Sequence, residues 1–131
     1  MFKTGYNSLM NATNSTVRDI NVMKPFHYIH EIELANTRRG HHFFEPAAKR
    51  FFRSRIIDDV TPDPTGDGGF FITSEQFVGP TGKALPRAYT VRHSNSEGWI
   101  TTVGGFNTIP TLRAARKAVA AAVEEKKAAI R

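Results

Sequence analysis

Residues 112–130, LRAARKAVAAAVEEKKAAI, are nearly all strong helix formers. Leu112, Ala115, Val119, Ala122 and Val123 fall on one narrow stripe of small apolar side chains. Such a stripe must bury itself against something else, and its small side chains suit close approach to a sheet. Thr108 or Thr111 is placed to cap this helix, and its first turn tolerates Pro110. Arg113, Arg116 and Lys117 face away from the stripe near the N-terminal end, where free N–H groups and the dipole favour anions.

The sheet that this helix requires is sought upstream. Phe70–Phe77 (FFITSEQF) is β-prone and lies between Gly-Gly and Gly-Pro. Arg87–His93 alternates Tyr89 and Val91 with Thr90 and Arg92, and Trp99–Val103 alternates in the same way. VGPTGKALP joins the first two, and SNSEG reads as a hairpin loop with Gly98 in a left-handed position. Residues 58–69, DDVTPDPTGDGG, are two prolines and three glycines among acids, the composition of a solvated surface loop.

Two helices are expected before the strands. Residues 26–39 place Phe26, Ile29, Ile32 and Ala35 at helical spacing and end on two arginines and Gly40, a stop signal. The alternation of Tyr28, Ile32 and Leu34 also permits a strand in the first half. Glu45-Pro46 opens a second helix through AAKRFFRSR, with Phe51 and Phe52 expected to anchor it to the sheet. Residues 1–22, rich in Asn, Thr and Ser, read as a mobile tail, and Met10 or Met23 are alternative starts. The expectation is a single α+β domain over 23–131: a three-stranded antiparallel sheet against a C-terminal helix and one or two N-terminal helices, in the order α-α-β-β-β-α.

The 131 residues suffice for one core without a crosslink or metal. Cysteine is absent, which removes disulfides, thiolate metal sites and cysteine nucleophiles. No apolar run approaches a membrane span or a secretory signal, so no membrane partner is expected and a cytoplasmic location is the default. No phosphate-binding glycine loop occurs. His27, His30, Glu31, His41 and His42 cluster loosely but form no zinc motif, and the 58–67 acids match no calcium loop. His93 and Ser94 are adjacent but lack a third group to orient them. No enzyme, metal or cofactor is expected from these residues.

Charge is the remaining signal. Eighteen Lys and Arg against twelve Asp and Glu give a net charge of +6, unevenly spread. Residues 38–55 carry Arg38, Arg39, Lys49, Arg50, Arg53 and Arg55 against Glu45 alone, whereas 56–82 hold five acids and no base. Lys49, Arg50 and Arg53, with Arg113, Arg116 and Lys117, are therefore the candidate contacts to a DNA or RNA backbone. That reading expects the two basic stretches to converge on one face. The same helix-strand-helix order occurs in double-stranded-RNA-binding domains, an analogy of topology only. Alternatively the chain binds a host protein complex, through the acidic loop or the basic faces. Phe43, Phe44, Phe51, Phe52, Phe70 and Phe71 are expected in the core rather than as stacking platforms.

The strings GHHFFEPAAKRFFRSRI (40–56), GGFFITSEQF (68–77), PRAYTVR (86–92) and ITTVGGF (100–106), followed by an Ala/Arg-rich helix, resemble a family of small uncharacterised proteins encoded by bacteriophages and other mobile elements. The resemblance spans about residues 31–125 and carries no assigned chemistry, so it transfers no functional residue. It implies a phage accessory protein in the host bacterial cytoplasm. Such a protein would bind nucleic acid, or block a host defence or nucleic-acid-processing complex as anti-CRISPRs do.

Overall fold

Every residue of Gly69–Glu75 is buried, so this one strand must be covered on both faces. In the computed structural model, which describes residues 23–57 and 59–130, it is one of two inner strands of a five-stranded antiparallel sheet. The elements run α1 (Ile29–Arg38), α2 (Pro46–Phe52), β1 (Arg55–Ile56), β2 (Thr61–Pro62), β3 (Gly69–Glu75), β4 (Ala88–Ser94), β5 (Ile100–Val103) and α3 (Leu112–Ala129). The order across the sheet is β1-β3-β4-β5, with β2 pairing the same edge of β3 as β1. The expected tail over 1–22 lies outside the described residues.

The α+β class and the C-terminal helix agree with the sequence, but three strands are too few. Both extra strands are two residues long, too short for an alternating pattern to register. β1 sits where the second helix was expected to continue. α2 stops at Phe52 because Arg53 takes a left-handed conformation (φ 50°) that turns the chain into the sheet. With the helix cut short, Phe51 lies 77% exposed rather than anchoring to the sheet, which corrects its expected core placement. β2 lies inside the acidic stretch expected to be all solvated loop: Thr61 pairs with Phe70, and Asp63, the residue after the strand, is buried.

Alternation along β3 divides the core in two. Phe70 and Ile72, with Val91 of β4, pack under α3 against Ala115 and Val119, flanked by Leu112, Ala122 and Val123. The expected stripe is the one that faces the sheet. Thr111 caps α3, its hydroxyl accepting from the Ala114 N–H at 3.1 Å. Phe71 points to the opposite face, where Phe26, Ile32 and Val60 cover it together with Phe43 and Phe44. Gly98 takes φ +90°, as the hairpin loop requires, and packs so close to Ala35 that a Cβ would run into its backbone. Among the described residues no helix is long and apolar enough to cross a membrane.

Candidate functional site

The period of two that puts Phe71 on one face of β3 also puts Thr73 and Glu75 there, opposite Thr90 and Ala88 of β4. Four polar side chains thus meet inside the sheet: Thr73, Glu75 and Thr90 are buried, and Arg92 beside them is 12% exposed. Glu75 is fully engaged. Its Oε2 accepts from the Thr73 hydroxyl (2.6 Å) and Arg92 Nη2 (3.2 Å), and its Oε1 accepts from the Thr90 hydroxyl (2.9 Å). Asn107, at φ 56°, donates its backbone N–H to Thr90 Oγ1 (2.7 Å). Its side-chain amide, oriented with nitrogen inward, donates to Glu75 Oε1 and to the Ala88 carbonyl, each at 3.2 Å.

The network fixes Arg92. Its Nε donates to Thr73 Oγ1 (3.0 Å) and its Nη1 to Thr102 Oγ1 (2.9 Å). The guanidinium carbon lies 5.2 Å from the Phe43 ring centroid and 5.3 Å from that of Phe106. Burial lowers the Arg92 pKa from its ordinary value, and the Glu75 carboxylate opposes that shift. A guanidinium carries five N–H bonds, so two remain unused among the described residues. Arg92 lines a cavity of about 200 Å³ with Phe43, Phe44, Lys49, Ile56 and Phe106. Phe43 and Phe44 are thus half-buried cavity walls, whereas Phe70 and Phe71 are core, as expected.

Next to this cavity the edge of the sheet is basic. Ser54 and Ile56 line the cavity, and the residues alternating with them are Arg53 and Arg55. Arg55 stands opposite Ser74 in register. Arg87 reaches the same point: its Nη1 donates to the Ser74 carbonyl (3.2 Å) and hydroxyl (3.1 Å), and its Nη2 to the Arg53 carbonyl (2.8 Å). Burial lowers the Arg87 pKa, and repulsion from Arg55 and Arg53 adds to that. Three guanidinium groups therefore meet at one corner, where Arg53 also donates to Gln76 Oε1 at 3.3 Å. Among the described residues Lys49, Arg50 and Arg55 have no carboxylate partner.

The two basic stretches do not merge into the single face expected. Lys49 lies on the Thr73 face, whereas Arg55, opposite Ser74, takes the other face, on which α3 packs with Arg113, Arg116 and Lys117. Arg116 lines a cleft there with Asp59 and Glu124, so two carboxylates share its surroundings. In sequence Arg55 is only part of a charge run, and Arg87 and Arg92 lie within a strand whose pattern marks neither as a site residue. The available clue was Thr73-x-Glu75, two polar residues sharing the face of Phe71 on a strand that begins Gly-Phe-Phe-Ile.

A second buried polar group lies on the α3 face. Asp63 Oδ2 is 2.8 Å from His93 Nε2 and 3.5 Å from Lys126 Nζ, and Asp63 Oδ1 accepts from the Thr65 N–H and hydroxyl at 2.8 and 2.7 Å. His93 thus has the orienting carboxylate that the sequence reading missed. Ser94 is not its relay partner, because it faces the other side of β4 and donates to the Asn95 carbonyl. The other histidines are dispersed: His30 stacks on Tyr28, His41 meets Trp99 edge-on, and His42 lies 3.4 Å from Glu45. Glu31 accepts from the His27 and Tyr28 N–H groups at 2.7 and 3.0 Å, which caps α1 and lowers its pKa. Among the described residues no group of three or more His, Asp or Glu could hold a metal.

A family model described as a family of unknown function matches residues 28–120. No curated protein and no solved structure matches the chain.

Proposed function

The chain belongs to that family of unknown function (DUF7447), and from this premise we propose that it is a non-catalytic protein that binds the nucleic-acid backbone, acting as a phage or mobile-element accessory protein in the host cytoplasm. The observation that carries the reading is the meeting of Arg53, Arg55 and Arg87 at one sheet corner, with Lys49 beside it. Like charges brought together repel, so such a corner is stabilised by an anion. The α3 row of Arg113, Arg116 and Lys117 is a second basic face, which the reading ranks below the corner.

A gel-shift titration at two salt concentrations tests this. Affinity is expected to fall with salt by about 0.9 log unit per duplex phosphate contact and about 0.7 per single-strand contact, for each log unit of salt. Arg53→Gln and Arg55→Gln are each expected to reduce the slope by up to about one such contact, and Arg113→Gln with Lys117→Gln to change it less. No shift with DNA or RNA at low salt refutes the reading.

One observation favours a protein partner instead. Trp99 is 44% exposed, held edge-on by His41 and covered on one side by Arg39 at 5.3 Å. Exposed Trp and Arg together are typical anchors of protein interfaces, as an inhibitor of a host defence complex would present. A stoichiometric partner captured from host lysate after nuclease treatment, and lost on Trp99→Ala, supports that alternative.

A further inference from the structure

A cavity with aromatic walls and a corner built of arginines lie on the two sides of one short stretch of backbone. Along Arg53–Ile56, successive side chains alternate between the basic edge (Arg53, Arg55) and the cavity lining (Ser54, Ile56). A ligand entering the cavity would meet the Lys49 cation on its wall, with Arg55 projecting from the other face of the same edge strand. Nucleic acid has that layout when its bases are unpaired, with phosphates outside and one flat heteroaromatic ring per residue inside. In a duplex the base faces are stacked and cannot enter a protein pocket without being flipped out.

The cavity fits one such ring. Its volume is about 200 Å³, and a cavity of about 150 Å³ already admits benzene. Phe43, Phe44 and Phe106 line it with aromatic rings, against which any base can pack, and Arg92 lies over two of them. At the polar end Glu75 has no oxygen to spare, because both accept from protein donors. Arg92 keeps two N–H bonds unused among the described residues. The cavity therefore offers donors, which match the carbonyl and ring-nitrogen acceptors of a base. Lys49, also on its wall, is placed for the adjoining phosphate.

We propose that this cavity holds one unstacked nucleobase, with Arg92 and the Phe43 and Phe106 rings as its contacts, so that the protein binds single-stranded in preference to double-stranded nucleic acid. The proposal rests on the backbone-binding reading above. Fluorescence anisotropy with a labelled short oligothymidylate, its duplex with oligoadenylate, and an abasic chain of equal length tests it. The single strand is expected to bind about tenfold more tightly than either competitor, in line with one stacked base. Phe106→Ala is expected to remove about tenfold of single-strand affinity and to leave the salt slope unchanged. Ala48→Phe, which fills the cavity from the α2 wall while keeping every other wall residue, serves if Phe106→Ala alters the circular dichroism; it is expected to cause the same loss. Equal affinity for all three ligands, or full single-strand affinity in a folded cavity variant, overturns the base pocket while leaving the arginine corner intact. Absence of binding to every ligand at low salt overturns the backbone reading and the pocket with it.

Discussion

Asp63 and Glu75 are both buried, and both survive because every oxygen lone pair they present finds a donor. Burial raises the Asp63 pKa, but the Thr65 N–H and hydroxyl, His93 and Lys126 outweigh it, so the net shift is downward. A carboxyl group whose pKa is lower in the folded chain stabilises the fold above its unfolded pKa of about 4. That stability is lost as pH falls below about 4 toward the folded value. Urea denaturation across a pH series is expected to show this acid limb in the wild type and a flatter one in Asp63→Asn. The variant is also expected to lose about 2 kcal/mol at neutral pH; identical limbs would contradict the assignment. Glu75→Ala is expected to be more damaging, by about 3 kcal/mol or more, because it leaves the Arg92 guanidinium buried without its counter-charge. Asp63 was not legible in advance, since an acid in a run of acids looks solvated until its partners, His93 thirty residues away among them, are known, whereas Glu75 left a clue within β3 itself.

At the scale of elements, α3 was readable almost to the residue. Its stripe is a local property, and Thr111 caps it as the hydroxyl before an alanine-rich run should. β3, β4 and β5 were readable too, within about two residues at each end, because alternation needs only the strand itself. α2 was not. Its sequence continues as helix through Arg55, and only the left-handed turn at Arg53 converts the remainder into an edge strand. Two phenylalanines that look equivalent in the sequence should therefore behave differently. Phe71→Ala is expected to destabilise by about 3–5 kcal/mol, whereas Phe51→Ala, on the exposed side of α2, is expected to change stability by less than about 0.5 kcal/mol. Chemical denaturation of the two variants distinguishes this from a core role for Phe51.

On the scale of the molecule, two apolar layers share one strand, with Phe70 and Ile72 in the first and Phe71 in the second. Loosening either layer removes the support of the other, so unfolding is expected as one transition. Trp99 fluorescence reports the α1 side, where His41 and Arg39 touch the ring, and far-ultraviolet circular dichroism is dominated by α3. Their melting midpoints should coincide, and Val119→Ala should lower both together; separated midpoints would mean that the layers are independent. The same two-faced sheet keeps Lys49 of α2 and the α3 cations on opposite faces, although both stretches were plainly basic in sequence. Residue order by itself determined the C-terminal amphipathic helix, the three long strands and the excess of positive charge, because each is set by composition or by a period of a few residues. Tertiary structure alone decided that Arg87 joins Arg53 and Arg55, and that Arg92 is clamped between Phe43 and Phe106. Those neighbours depend on strand register and on which face a side chain takes, and both are settled only when distant segments pair.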